Sequence, residues 1–237
     1  MRSVPTLFVR EWKSFFFSPT AYIVITVFLA LAGYFFFGNL SFSRQATLRP
    51  TLDVFAIVLL FVTPIITMRL LAEEARSGTI ETLLTAPVRD VEVVLGKFFA
   101  SLAFLICMLL PTGYYVAVLA KVGSPDYGQI ISGYIGLVLV GCVFLSVGLL
   151  CSAATKNQIV AAVVAFVALL ILWILGALGQ LAQQQGLKEL LEYIGFFRHF
   201  DSFQKGLIDT RDVIYMLSVT TFCLFLTVRV VETRKWR

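Results

Sequence analysis

The chain has 237 residues, of which 59% are hydrophobic and only 14% charged, and its formal net charge is +5. Its mean hydropathy of +0.91 is far above that of an average soluble domain and excludes that class of protein. The composition predicts an integral membrane protein, whose positive charge belongs to the segments between its spans and requires no nucleic-acid partner.

Six apolar runs are long enough to cross a bilayer. A helix needs roughly 18 or more apolar residues to cross about 30 Å of hydrocarbon. We therefore predict an all-α integral membrane fold with six transmembrane helices in a single domain over residues 1–237. The predicted spans are 21–37, 52–72, 98–120, 130–152, 158–179 and 213–231.

The distribution of lysine and arginine predicts the orientation of these spans. Six spans place both termini on one side of the membrane, together with residues 69–97. That side carries twelve of the basic residues and the other side seven, while the acidic residues divide seven and seven. Because basic residues accumulate in cytoplasmic segments, both termini are expected in the cytoplasm.

Residues 1–20 precede the first span and predict a short helix of their own. Apolar side chains recur there at helical spacing and the charged residues fall elsewhere on the helix, a pattern typical of a helix lying in the membrane interface. Pro19 is expected to end this entry helix, because proline removes a backbone donor and restricts the residue before it.

A second polar segment, residues 180–212, lies between spans five and six on the outer side. Leu187, Leu190, Leu191, Ile194 and Phe197 repeat in it at helical spacing. This repeat predicts one or two short helices on the outer bilayer surface. The alternative is a loop whose aromatic side chains cover the ends of spans five and six.

Two prolines interrupt the predicted spans on either side of residues 69–97. Pro64 lies in the second span and Pro111 in the third. A proline inside a helix deletes one backbone hydrogen bond and usually bends the helix. Each bend is either a hinge or a packing kink, and the sequence favours neither.

A charged segment, residues 69–97, lies between spans two and three. The second span can continue as a helix to Arg76, and Gly78 is the residue type that commonly closes a helix. A new helix is expected to start at Asp90, a favourable N-cap residue. Residues 73–90 therefore form a segment that projects from the membrane into the cytoplasm.

Residues 79–86 within this segment predict a separate helix of two turns. Its apolar side chains Ile80, Leu83 and Leu84 share one face, and Glu81 lies on another. Pro87 is expected to end it. The short helix is therefore amphipathic and suited to contact with a soluble partner.

Two acidic residues, Glu73 and Glu74, precede the short helix in the final turn of the second span. The helix dipole disfavours acids at that end by about 0.3–1 kcal/mol. This cost indicates a basic partner, either on the entry helix or on another protein. Two solvated glutamates at the membrane surface are the alternative.

Three stretches of the chain resemble one known family. Residues 73–88, EEARSGTIETLLTAPV, are similar to the cytoplasmic segment of ABC-2 type transporter permeases, the membrane subunits of type V ABC exporters. Residues 10–22, REWKSFFFSPTAY, and 198–215, RHFDSFQKGLIDTRDVIY, resemble the subclass associated with bacterial gliding motility. The likeness extends over nearly the whole chain.

The resemblance implies a role for the matched residues. The helix over 79–86 would be a coupling helix seated in a groove of a cytoplasmic ATP-binding subunit. The implied partner-binding residues are Glu73, Glu74, Gly78, Thr79, Ile80, Glu81, Leu83, Leu84 and Pro87. The family also has an interfacial entry helix, here at 3–17, and short outer helices, here at 185–205.

We therefore expect the chain to be the transmembrane permease of an ATP-driven ABC exporter in a bacterial inner membrane. The expected partners are a cytoplasmic ABC ATPase, a second permease copy as homodimer or paired permease, the lipid bilayer and a periplasmic accessory protein. ATP and Mg would bind the ATPase, because the chain lacks a phosphate-binding loop: Val91 replaces the glycine required before Gly96-Lys97, and Phe98 replaces the hydroxyl after it. No cofactor, metal site or catalytic residue is expected in this chain.

The apolar spans also bear on the mechanism. No Asp, Glu, Lys, Arg or His lies in mid-span, where such groups mark proton and ion routes. This disfavours a secondary transporter, a proton-driven motor and an intramembrane enzyme, and suits an amphipathic or lipid-linked substrate. The alternative from another class is a mechanotransmission subunit that drives a periplasmic machine, related to gliding or secretion, without translocating a substrate.

Overall fold

The computed structural model describes residues 3–43, 47–77, 89–181, 186 and 195–234. Within these ranges the chain forms nine α-helices and no strand, so the predicted all-α membrane fold is confirmed. The helices are α1 Ser3–Phe17, α2 Pro19–Ser43, α3 Arg49–Ser77, α4 Asp90–Leu109, α5 Gly113–Val122, α6 Tyr127–Ala154, α7 Gln158–Leu181, α8 Phe196–Gln204 and α9 Thr210–Arg234.

Six helical stretches in the described residues are long and apolar enough to cross a membrane, as predicted. They are Pro19–Ser41, Arg49–Arg76, Asp90–Val122, Tyr127–Ala154, Gln158–Gly176 and Thr210–Thr233. The first is longer than predicted, because Gly38 and Asn39, which end the apolar run, remain helical. Because the spans alternate in direction, α1 and the end of α9 share one end of the bundle, called the terminal end here.

Helix α6 is the centre of the bundle and packs against α3, α4, α7, α8 and α9. Its glycines permit close contact with α3: a Cβ added at Gly148 would overlap the Thr67 side chain, and one at Gly133 would overlap Leu52. Small residues allow helix backbones to approach closely in lipid, where van der Waals packing holds helices together. α3 and α6 therefore form a closely packed pair along most of their length.

Helix α1 packs against the terminal end of α4. Pro19 is the first residue of α2, so the prediction that it ends the entry helix is confirmed. The rings of Phe15 and Phe104 stack with their centroids 4.9 Å apart. A Cβ added at Gly96 would lie 3.0 Å from the Leu7 Cβ. A glycine at this position of α4 therefore lets α1 lie close to it.

The start of α4 differs from the prediction by one residue. Arg89, with an extended backbone, is the N-cap, and Asp90 is already helical. The Glu92 carboxylate accepts a hydrogen bond of 3.4 Å from the Arg89 amide. The acidic side chain that caps this helix is therefore Glu92, its third residue, as in a capping box. The helix begins at Asp90, one residue earlier than an N-cap at Asp90 would imply.

The two prolines predicted as hinges or kinks lie in different settings. α3 continues through Pro64, and the nearby Thr63 and Thr67 hydroxyls donate to backbone carbonyls of the same helix. Pro111 lies in the 3₁₀ turn Leu110–Thr112, which separates α4 from α5. A hinge role for either proline stays a prediction.

Helix α8 covers part of the opposite end of the bundle. It packs against α6, α7 and α9. Phe196 and Phe203 are buried, and Phe196 contacts the rings of Phe144 on α6 and Trp173 on α7. α8 lies within the predicted outer segment, whereas residues 187–194, which carry most of the predicted apolar repeat, lie outside the described residues.

Candidate functional site

The structure describes the predicted partner-binding segment only at its edges. The predicted residues outside the described part of the chain are Gly78, Thr79, Ile80, Glu81, Leu83, Leu84 and Pro87. Glu73 and Glu74 lie near the end of α3, and α4 begins on the other side of the segment. The candidate site is therefore the junction of α1, α3 and α4 at the terminal end.

One buried lysine joins the three helices of this junction. The Lys97 ammonium on α4 lies 2.7 Å from Glu74 Oε1 on α3 and 3.2 Å from Glu11 Oε1 on α1. The Arg10 guanidinium lies 2.9 Å from the same Glu11 oxygen and 3.5 Å from the Glu74 oxygen. Only 3% of the Lys97 side chain is exposed. We call Arg10, Glu11, Glu74 and Lys97 the junction ion cluster.

The charges of the junction ion cluster compensate one another. A buried charge is costly unless an opposite charge and hydrogen bonds accompany it. Burial by itself raises the pKa of the Glu11 carboxyl, but attraction by Lys97 and Arg10 outweighs it and holds the pKa below its ordinary value. The carboxylate is therefore ionised at neutral pH and stays paired with the lysine.

A further basic residue fixes α3 to the turn between α1 and α2. The Arg69 guanidinium donates to the Ser18 hydroxyl at 2.7 Å and to the Thr20 hydroxyl at 3.0 Å. It also lies 5.1 Å from the centre of the Phe15 ring, within range of a cation–π attraction. Glu73, one turn further along α3, attracts the same guanidinium. The entry helix is thus attached near its middle, through Glu11, and at its C-terminal end, through Phe15 and Ser18.

A cleft of about 640 Å³ opens between α1, α3 and the start of α4. Its lining includes the acids Glu73 and Glu74 and the cations Arg10, Arg69 and Lys97. Glu73 is exposed to the cleft, and Glu74 is half-buried beside its two basic neighbours. Two freely solvated glutamates, the alternative considered from the sequence, therefore do not describe Glu74.

A serine of the central helix binds the backbone of α3 just before these glutamates. The Ser152 hydroxyl donates to the Met68 carbonyl at 3.0 Å and accepts from the Leu71 and Ala72 amides, both at 3.1 Å. Met68 and Ala72 are four residues apart, so the hydroxyl lies beside one carbonyl–amide pair of the α3 backbone. Less than one turn before Glu73, α3 is therefore attached to α6.

Polar contacts at the opposite end hold α8 against α3 and α9. The three pairs are Arg49 and Asp201 at 2.8 Å, Asp53 and Gln204 at 2.6 Å, and His199 and Asp212 at 2.7 Å. In the first two pairs one partner, Arg49 or Asp53, belongs to α3, the helix that carries Glu74 at the terminal end. A single helix therefore takes part in polar contacts at both ends of the bundle.

Sequence reasoning indicates a basic partner for Glu74 but does not identify Lys97. A lysine at the edge of an apolar run is typical of a membrane boundary, where its side chain faces water. A signal is nevertheless present, because Lys97 lies four residues after Val93 and three before Ala100, and both are buried on α4. A charged residue on an apolar helical face indicates a buried partner.

The junction offers charge pairing that fixes the relative positions of three helices. Among the described residues, no group of three or more His, Cys, Asp or Glu side chains is placed to hold a metal ion. The four cysteines are free thiols, of which Cys142 and Cys223 are buried. The interactions that the described site provides are ion pairs and hydrogen bonds.

One comparison with known proteins identifies the family. The model of the ABC-2 family transporter protein matches residues 21–232, which contain nearly all of the six spans and the Glu74 and Lys97 positions. All of α1, with Arg10 and Glu11, precedes the matched region. No match was found among curated proteins. The chain therefore belongs to the ABC-2 transporter family and is a multi-pass transmembrane permease.

Proposed function

We propose that the chain is the membrane subunit of an ATP-driven ABC exporter, in which a separate ATPase hydrolyses ATP and an amphipathic or lipid-linked substrate is moved. The junction ion cluster carries this proposal. Through Lys97 it joins α3 and α4, the helices that flank residues 78–88, to the entry helix. An ATPase bound at 78–88 would therefore act on three connected helices at once.

The route of a displacement follows from the contacts. Packed side chains, ion pairs and stiff helices can carry energetic coupling between distant sites. Lys97 connects α4 to α3 and α1, and Ser152 connects α3 to the central helix α6. ATP and Mg remain on the partner subunit. The largely exposed spans α2, α7 and α9 supply apolar surface for a second permease copy and for the substrate.

Association with the ATPase is tested by one substitution in the coupling segment. Leu83→Asp places a charge on the apolar face of the predicted coupling helix and should abolish co-purification with a co-expressed ATPase, while membrane insertion is retained. Leu207→Asp, at an exposed leucine in the loop before α9, is the matched control and should co-purify normally. Normal co-purification of the Leu83→Asp variant would contradict the proposal.

Substrate movement is tested separately in proteoliposomes containing the permease and its ATPase. The probe is a fluorescent short-chain phospholipid, an amphipathic molecule whose leaflet position can be followed by quenching. ATP-dependent movement of the probe, absent with a hydrolysis-deficient ATPase, supports export of an amphipathic substrate. ATP hydrolysis that the permease stimulates without any movement of the probe counts against it.

The contacts at the opposite end favour a second candidate function, mechanotransmission to a periplasmic machine. Arg49 and Asp53 bind α8 through Asp201 and Gln204, so α3 connects the coupling end to an ordered surface on the other side. Stimulation of ATP hydrolysis only by an added periplasmic protein, without movement of the lipid probe, would favour this function. The gliding-associated subclass, like the cytoplasmic position of the termini, stays a prediction.

A further inference from the structure

An apolar groove runs between α4 and α9 on the outside of the bundle. It encloses about 640 Å³. The apolar side chains of its walls include Leu95, Phe98 and Phe99 from α4 and Leu224, Phe225 and Val228 from α9. None of the residues that line it belongs to the cleft at the junction of α1, α3 and α4. The groove is therefore a separate feature of the molecule.

The groove is long enough to follow one leaflet of a bilayer. On α4 its lining extends from Val91 to Leu102 and on α9 from Leu217 to Glu232, rises of about 16–17 Å and about 22–23 Å at 1.5 Å per residue. Half of the hydrocarbon core of a bilayer is about 15 Å thick. The groove starts at the terminal end, and both walls are long enough for an acyl chain that extends from the headgroup level to the bilayer centre.

Two opposite charges lie at the terminal end of the groove. Arg229 Nη1 lies 2.8 Å from Glu232 Oε2, and the two side chains are 61% and 38% exposed. The Arg229 guanidinium also lies 5.0 Å from the centre of the Phe225 ring, which is part of the groove wall. An exposed ion pair of this kind is weak. Both charges can therefore take new partners at the level of the lipid headgroups.

We propose that the groove binds one phospholipid with a zwitterionic amine headgroup, of the phosphatidylethanolamine type, from the leaflet at the terminal end. One acyl chain lies between α4 and α9. The phosphate accepts hydrogen bonds from the Arg229 guanidinium, whose planar donors suit phosphate oxygens. The ammonium of the headgroup donates to the Glu232 carboxylate.

Charge complementarity selects the headgroup. A zwitterionic lipid supplies an anion for Arg229 and a cation for Glu232, so neither side chain is left without an opposite charge. An anionic headgroup such as that of phosphatidylglycerol satisfies Arg229 but places a negative charge beside Glu232, which is repulsive. The inference concerns a resident bilayer lipid and holds whether or not the permease is an exporter.

The groove is tested by native mass spectrometry of the full chain in detergent, titrated with phosphatidylethanolamine or phosphatidylglycerol of identical acyl chains. Val91→Trp adds a large side chain to the groove wall. Val160→Trp at the start of α7 is the matched control, because the two valines are 47% and 45% exposed. We expect one retained phosphatidylethanolamine, an affinity about tenfold lower for Val91→Trp, and no change for Val160→Trp. Equal affinity of the two variants would overturn the proposal.

Two further variants test the assignment of the headgroup. Glu232→Gln should weaken phosphatidylethanolamine binding and leave phosphatidylglycerol binding unchanged or stronger, whereas Arg229→Gln should weaken both. Equal affinity of the unmodified chain for the two lipids, or normal phosphatidylethanolamine binding by Glu232→Gln, would overturn the assignment. If Val91→Trp converts dimers to monomers in the same spectra, the groove is an interface between copies and the proposal is wrong.

Discussion

Replacing Lys97 with methionine removes the ammonium that joins α1, α3 and α4 but keeps an unbranched side chain of similar length. The Glu74 and Glu11 carboxylates then lose contacts of 2.7 and 3.2 Å, at a site where only 3% of the lysine side chain is exposed. Removing one partner of a buried ion pair costs about 3–5 kcal/mol, because the other charge stays buried without compensation.

The structure places the expected loss at the lower end of this range. The Glu11 and Glu74 side chains keep 12% and 18% of their exposure, so water partly solvates them. Arg10 also remains within 2.9 and 3.5 Å of the two carboxylates. We therefore expect the free energy of unfolding to fall by about 3 kcal/mol. A double-mutant cycle with Glu74→Gln should give a coupling energy of about 2 kcal/mol.

Reversible unfolding of the purified full chain in mixed micelles of increasing SDS content measures this free energy. Fluorescence of Trp12, which lies on α1, reports in addition whether the entry helix separates from the bundle. Lys13→Met removes an exposed lysine of α1 and should change the free energy by no more than about 0.5 kcal/mol. Equal losses for the two lysine variants, or a coupling energy near zero, would refute the assignment of Lys97 as the residue that holds the junction together.

Three further variants address the junction and its attachment to α6. The pKa of Glu11 is held below its ordinary value of 4.5, so its stabilisation is present at neutral pH and is lost as the pH falls through the lowered pKa. Unfolding measured from pH 7 downward should therefore show a steeper acid loss for the unmodified chain than for Glu11→Gln, and parallel profiles would contradict this. Gly96→Val should lower the free energy of unfolding by about 1–3 kcal/mol, because its Cβ would lie 3.0 Å from an α1 side chain. Gly38→Val should cause no such loss, because a Cβ there has nothing within 4 Å. Similar losses for the two variants would count against close packing of α1. Ser152→Ala leaves α3 backbone groups without their hydroxyl partner and should cost about 1–3 kcal/mol. The loss should exceed that of Ser101→Ala, a similarly buried serine whose hydroxyl donates to the Phe98 carbonyl of its own helix. The reverse order in the same assay would show that the Ser152 contact does not hold α3.

The spans could be predicted because their signals are local. The apolar runs and the break at Pro19 each depend on neighbouring residues, and the structure has helices over the runs and a helix boundary at Pro19. The start of α4 shifts by one residue because Arg89, rather than Asp90, has the extended backbone of an N-cap. Composition fixes where a helix can exist, while its first residue depends on backbone geometry.

The junction ion cluster could be predicted only in part, because its members are distant in the sequence. Lys97 is 86 residues from Glu11 and 23 from Glu74. The dipole argument indicates that Glu74 needs a basic partner, but a lysine near a membrane boundary has the same local signature whether it faces water or another helix. The position of α1 determines that Lys97 faces another helix. α1 covers Lys97 because Gly96, which has no side chain, lets α1 lie close to α4. Such a contact belongs to the tertiary structure.

Helix α3 connects the two ends of the bundle, and its contacts determine which parts can move together. At the terminal end of α3, Glu74 and Arg69 hold the entry helix, and at the opposite end of α3, Arg49 holds α8. α6 is packed closely along α3. The two helices therefore cannot slide past each other without disrupting a core packed as densely as an organic crystal. A displacement applied at 78–88 would therefore shift α3 and α6 as a unit, because the Ser152 hydroxyl also attaches α6 to the α3 backbone. α2 packs against α3, and α7 packs against both α3 and α6. Because α2 and α7 are mostly exposed, relative motion is expected at their boundaries with this pair. An apolar substrate pathway would then open along those boundaries and not through the α3–α6 interface.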